Sequence, residues 1–181
     1  MNLKEFKEAV FSFIEEHDVN VEALTKDVDI ADKINPVINN KMFEVMRYKK
    51  ITAKEKMEVK EDQEIELIDI DKNCYQIRKI TGVDYEQEDK FITFLEEGTA
   101  VIYYNKYPVR ITSDTVDEDY KFELDEEALE VMKMGVAADL LKTDVSNKFG
   151  QIWDNEYQRQ LQTLDSRKTA GTITIGEGVG V

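Results

Sequence analysis

The chain has 181 residues, 41% apolar and 9% aromatic, enough for a self-sufficient hydrophobic core, and 39 acidic against 24 basic residues leave a net charge of −15. So acidic a chain repels nucleic-acid phosphates and anionic membrane, which argues against DNA binding over its whole surface. A single cysteine, Cys74, and a single histidine, His17, exclude a disulfide framework, the usual zinc ligand sets and any triad that needs a second histidine.

Leu3, Phe6, Val10, Phe13 and Ile14 recur at helical spacing with lysines and glutamates between them, which predicts an amphipathic helix over 2–17. His17 then falls just past its end, as an exposed cation near the negative pole of the helix dipole. A weaker pattern between Val19 and Ile34 predicts another short helix. Asn35-Pro36 reads as a helix start, because Asn can cap and Pro tolerates the first helical position. A helix over 36–48 follows, with Ile38, Met42 and Val45 on one face.

From Ile51 the period falls towards 2, and β-branched and aromatic residues alternate with charges, as in Ile65 and Leu67 or Tyr75 and Ile77. A β insertion over about 51–124 is expected, a small antiparallel sheet set between helices. Within it, Glu96-Glu97-Gly98 is placed to join Phe91–Leu95 to Ala100–Tyr104 as a hairpin. Pro108 cannot donate to a ladder, so a strand carrying Tyr107 to Thr112 should lie at an edge or bend.

Asp125, Glu126 and Glu127 put negative charge at a helix start, and Ala128, Leu129, Met132, Val136, Leu140 and Leu141 predict a helix over 126–142. Gly135 interrupts it at a cost of about 0.5 to 1 kcal/mol relative to Ala, which points to another backbone passing close by. Phe149, Trp153, Tyr157, Leu161 and Leu164 predict a closing helix over 147–166, with Trp153 and Tyr157 in the core. After residue 168 the composition turns to Gly, Thr, Ile and Val, an extended C-terminal tail over 169–181 with too few anchors to pack alone. The expected class is α+β: mainly a helical bundle with an inserted small antiparallel β-sheet, as a single domain over 1–168 followed by that tail.

Few residues invite chemistry. Asp69, Asp71 and Asn73 mimic the opening of a calcium loop, but Cys74 takes the required Gly position and Ile80 the bidentate Glu position. Asp114, Asp117, Glu118 and Asp119 could gather round a cation, although a solvated loop is the favoured reading. No glycine-rich phosphate loop, nucleophile elbow or partnered nucleophile occurs, so an enzyme is not expected and neither is a cofactor or metal. Tyr103, Tyr104 and Tyr107 suit a binding platform, yet strand tyrosines on a half-buried face explain them as well. Lys41, Arg47, Lys49, Lys50, Lys54, Lys56 and Lys60 make 41–60 locally basic, which would favour head-to-tail contact between identical subunits, with Lys49, Lys50, Lys54 and Lys56 at the interface.

No apolar run approaches the 18 to 20 or so residues that span a bilayer, and Met1-Asn2-Leu3-Lys4-Glu5 lacks the apolar core of a signal peptide. No membrane partner is expected, and the protein should act in the cytoplasm or in a particle assembled there.

The order of elements carries one resemblance. Asn35-Pro36, then strands ending in Val101-Ile102-Tyr103-Tyr104 with Tyr107-Pro108, then Gly135-Val136-Ala137-Ala138-Asp139-Leu140-Leu141, then Trp153, Tyr157, Leu161 and Leu164 resemble the head-tail adaptor (connector) proteins of tailed bacteriophages. It departs in having Asn35-Pro36-Val37 for the more usual Asn-x-Ala, a very negative charge and a larger β insertion. The resemblance implies a structural virion protein of the neck. Its subunits would form a ring, a dodecamer on the portal protein, that lengthens the DNA channel without specific DNA binding and offers a platform to tail or tail-completion proteins. It also implies a C-terminal extension that reaches the portal, here Thr172, Ile173, Thr174, Ile175, Val179 and Val181; thirteen extended residues reach at most roughly 43 to 47 Å. The rival expectation is an acidic DNA mimic that occupies the groove of a DNA-binding host enzyme, for which Asp and Glu would be the working residues.

Overall fold

The helices close round the one whose buried residues spread over more than one face. In this computed structural model, which describes residues 1–15, 28–142 and 149–166, the helix Glu126–Leu141 (α4) buries Val131, Met132 and every residue from Gly135 to Ala138, so it must be covered on several sides. Leu3–Glu15 (α1), Val28–Val45 (α2) and Phe149–Ser166 (α5) supply that cover. The Asp125 carboxylate caps α4 by accepting from the Ala128 N–H at 2.9 Å. Asn2 and Glu5 form a reciprocal box at the start of α1: the Asn2 side chain accepts from the Glu5 N–H at 2.8 Å, and Glu5 accepts from the Asn2 N–H at 2.9 Å.

The expected start of a helix at Pro36 is corrected. α2 begins at Val28 and carries Pro36 in its interior. Proline there removes one ladder bond, but Ile34, Ile38, Met42 and Val45 all enter the helical core, and their burial outweighs the local loss. The part of the expected short helix that lies in the described residues, 28–34, is continuous with α2; 16–27, His17 included, lies outside them.

The description as mainly a helical bundle is also corrected. The described residues hold five helices, one a single turn at Leu67–Ile70 (α3), and two three-stranded antiparallel sheets. One sheet pairs Ile51–Val59 (β1), Gly98–Lys106 (β6) and Cys74–Thr81 (β3), with β6 in the middle. The other pairs Glu64–Glu66 (β2), Phe91–Phe94 (β5) and Tyr85–Glu88 (β4), with β5 in the middle. Their inner faces share one cluster that includes Val59, Ile65, Ile80, Ile92, Phe94 and Ile102, separate from the helical cluster. The strands are thus a second body with a core of its own rather than a small insert.

The hairpin expected between Phe91–Leu95 and Ala100–Tyr104 does not form, because β5 and β6 belong to different sheets. β5 instead pairs back on β4 through a turn at Asp89, whose φ of 53° is the left-handed conformation that Asp tolerates in tight turns. Strands also stop at Lys106, not near 124. Pro108 ends the ladder, and 107–124 runs through hydrogen-bonded turns that return to the helices, where Lys121 bridges Asn2. The tail at 169–181 lies outside the described residues.

Candidate assembly surfaces

The β1-β6-β3 sheet turns Ala100, Ile102 and Tyr104 into the β core, so Val101 and Tyr103 face outward, as a two-residue period requires. Register then sets their neighbours. Tyr103 lies between Lys54 on β1 and Lys79 on β3, and Val101 lies between Lys56 and Thr81. A bulge between Ile77 and Lys79 breaks the alternation on β3: Ile77 and Ile80 both join the β core, while Arg78 and Lys79 are both exposed. Arg78, Lys79, Thr81 and Tyr103 together line a cavity of about 480 Å³. Tyr103 itself is 39% exposed, and no carboxylate lies within 4 Å of Lys54, Lys56, Arg78 or Lys79 among the described residues.

The second sheet repeats this layout with the opposite sign. Ile65, Ile92 and Phe94 face the core, which leaves Thr93 between Glu64 and Glu86, and Phe91 between Glu66 and Glu88. Lys90 answers part of that charge, 3.5 Å from Glu66 and 5.2 Å from the centre of the Phe91 ring. Glu64, Glu86 and Glu88 are exposed without an ion-pair partner among the described residues.

The four lysines expected at a subunit interface therefore part company. Lys54 and Lys56 stand on the basic sheet face, and Lys50 is exposed just before it. Lys49 is engaged within the chain, 3.0 Å from Asp125 and 3.6 Å from Glu127. The Asp125 hydrogen bond holds the Lys49 ammonium above the ordinary lysine range despite the opposing effect of burial. Arg78 and Lys79 were not among the expected interface residues. The signal for them was their position beside β6, visible only once the bulge is known.

The three tyrosines have three different settings. Tyr104 is buried and donates to Asp71 at 3.3 Å; burial first, and then the Asp71 charge, push its phenol up. Tyr107 stacks between Tyr75, at 4.5 Å, and Phe43 on α2, at 5.8 Å, while Arg110 lies 4.8 Å over the Phe43 ring. Two adjoining cavities of about 420 and 700 Å³ share Phe43 and Arg110 and open along this seam between the helices and the sheet.

Four of the acidic residues that imitate metal loops have structural partners. Asp69 accepts from the Glu66 N–H at 2.8 Å in the capping box of α3, and Asp71 accepts from the Asn73 N–H at 2.8 Å and from Lys106 at 3.3 Å. Lys106 also meets Glu123 at 2.5 Å and so ties the sheet to the segment before α4. Burial alone would lower its pKa, but these two carboxylates raise it. In the loop, Asp117 and Glu118 pair with Lys7 and Lys4 of α1 at 2.7 and 3.2 Å.

Trp153 and Tyr157 belong to the helical body. Trp153 packs on Phe13 with ring centres 4.3 Å apart, and Tyr157 is fully buried against Gly135. Lys41, nearly buried, sits 4.6 Å over the Tyr157 ring and meets Glu44 at 3.0 Å and Asp139 at 3.2 Å. Burial, then the Glu44 charge, drive the Tyr157 phenol far above its ordinary range. No described helix is long and apolar enough to cross a membrane. No protein-family model matches the chain, and no curated protein matches it.

Proposed function

We propose that this chain is a structural subunit of the head-tail junction of a tailed bacteriophage, one that forms a ring beneath the portal protein, lengthens the DNA channel and receives tail proteins. The observation that supports this reading best is the pair of oppositely charged sheet faces carried by one chain, which suits a contact repeated from copy to copy. The chain order of elements, with α4 and α5 locked through Gly135 and Tyr157 after the strand region, adds the family resemblance. A predominantly negative subunit also suits a channel that DNA must traverse without sticking.

In this role Thr172, Ile173, Thr174, Ile175, Val179 and Val181 would add an extended segment to the portal. The composition of the tail, rich in Gly, Thr, Ile and Val, offers too few anchors to pack alone. Removal of 169–181 should therefore leave the monomer's melting temperature almost unchanged and abolish portal attachment.

The deciding experiment is peptide mass spectrometry with copy-number estimation on purified particles. A copy number close to that of the portal is the expected result. Absence from the particle overturns the reading and moves the acidic DNA mimic to first place, since Glu64, Glu66, Glu86 and Glu88 would then be its first candidates. Competition with duplex DNA for a DNA-binding enzyme would test that alternative.

A further inference from the structure

We infer that the basic face of the β1-β6-β3 sheet docks onto the acidic face of the β2-β5-β4 sheet of a second copy of this chain. The inference rests on the reading of the protein as an assembly subunit, and it names the two surfaces that meet.

The two faces match in layout as well as in sign. On the basic side, Lys54 and Lys79 flank Tyr103 in one row and Lys56 begins the next. On the acidic side, Glu64 and Glu86 flank Thr93, and Glu66 and Glu88 flank Phe91 in the neighbouring row. Neighbouring strands lie about 4.8 Å apart in any sheet, so rows of like charge separated by two strand spacings face rows of the opposite charge with the same separation. Tyr103 supplies an amphipathic anchor at the centre, with the cavity bounded by Arg78, Lys79 and Thr81 beside it.

Both faces are turned away from the core that the two sheets share, so one subunit cannot satisfy its own charges by closing them on each other. The contact is then heterologous: each copy offers one face to the copy before it and the other to the copy after it, the arrangement that builds rings or filaments. The bulge on β3 is the device that makes the basic face. Strict alternation would send either Arg78 or Lys79 into the β core, whereas the extra residue leaves both outside.

Nucleic acid is the other occupant that a tyrosine among cations could take. The net charge of −15 and the acidic sheet on the same body oppose a polyanion of that size, while a second copy brings the matching carboxylates with it.

The test is sedimentation velocity over a concentration series with the full chain and two charge-reversed variants, Lys54→Glu with Lys79→Glu, and Glu64→Lys with Glu86→Lys. All four residues are exposed, and unchanged circular dichroism would verify folding. The wild type should associate with rising concentration and dissociate in high salt. Each variant should associate roughly a hundredfold more weakly or worse, because like charges then face each other. An equimolar mixture of the two variants should recover association, since each retains one native face. A wild type that stays monomeric to its solubility limit, or variants that associate as the wild type does, would overturn the inference. So would tight binding of oligo-dT that is lost in Tyr103→Ala, which would give this face to single-stranded DNA. Particle incorporation separates the two levels of the argument: reversed variants that still enter particles sink this contact alone, whereas absence of the wild type from particles sinks the adaptor reading and leaves the contact to be judged by sedimentation.

Discussion

At Gly135 the space for a methyl group is already taken. A Cβ built there would lie 2.8 to 2.9 Å from three atoms of the Tyr157 ring, so the close neighbour that this glycine signals is an aromatic side chain and not a backbone. Replacing Gly by Ala inside a helix gains about 0.5 to 1 kcal/mol of propensity, whereas overfilling a packed core costs about 1 to 3 kcal/mol. Because the ring is fully buried and held under Lys41, it has little room to move, and Gly135→Ala should lower stability by about 1 kcal/mol or more in urea unfolding. A stabilised variant would show that the ring can slide. Asp71 gives a pH prediction. Burial pulls its carboxyl up, but the Asn73 N–H, Lys106 and the Tyr104 hydroxyl together hold it below the ordinary carboxylate range. A carboxyl with a depressed folded-state pKa adds stability that is present above its unfolded value, about 3.9, and lost as pH falls through the folded one. Asp71→Asn should therefore weaken the fold at neutral pH by about 1 to 2 kcal/mol and make the acid limb of its stability curve shallower than the wild type's. Parallel acid limbs in a pH series of urea unfolding would assign the acid loss to other groups.

Pro36 poses the same conflict for a whole element. Its ring nitrogen cannot donate to the carbonyl of Asp32, four residues earlier in α2, and a proline in a helix interior costs about 3 kcal/mol. Pro36→Ala should then stabilise the protein, by about 1 to 3 kcal/mol after allowance for the freer unfolded chain, and slow amide exchange over 36–40. Destabilisation would mean that the backbone geometry fixed by proline is needed to seat Ile34 and Ile38 together. The sequence also read this dipeptide wrongly for a physical reason: the local signal of Asn-Pro is a helix start, and only burial on both sides of it, which is a tertiary property, carries the helix through. The helices around Phe6 and Leu161 were legible because a single apolar face repeats along each, and the one around Met132 because apolar residues fill most of its positions. The sheet pairing was not. Gly98 looked like the turn of a hairpin, while the true turn uses Asp89 in a left-handed conformation that the pattern does not signal. Lys54, Lys56 and Tyr103 could be singled out as surface residues from alternation alone. Arg78 and Lys79 could not be, because a bulge shifts the period by one residue and no residue type announces it.

For the molecule as a whole, salt should act in two opposite directions. A chain with net charge −15 repels itself, and ions screen that repulsion once the Debye length shrinks to about 10 Å at 0.1 M and below that at higher salt. The most sheltered of the ion pairs that oppose this trend are Lys41 between Glu44 and Asp139 and Lys106 between Asp71 and Glu123, whose hydrogen bonds raise the Lys106 pKa against the effect of burial. Sheltered pairs lose less to screening than exposed like charges gain. Raising salt from about 0.01 to 0.5 M should thus stabilise the isolated subunit by on the order of 1 kcal/mol, or about 2 to 4 °C in melting temperature for a chain of this size. The contact between basic and acidic sheet faces should weaken over the same range, because it is made of exposed charges of opposite sign. A variant that cannot associate separates the two effects. In Lys54→Glu with Lys79→Glu only the first operates, so its melting temperature should rise steadily with salt. In the concentrated wild type, dissociation removes the stabilisation that association provides, and the curve should be flatter or fall. Identical salt dependence in the two proteins would mean that the sheet faces do not meet.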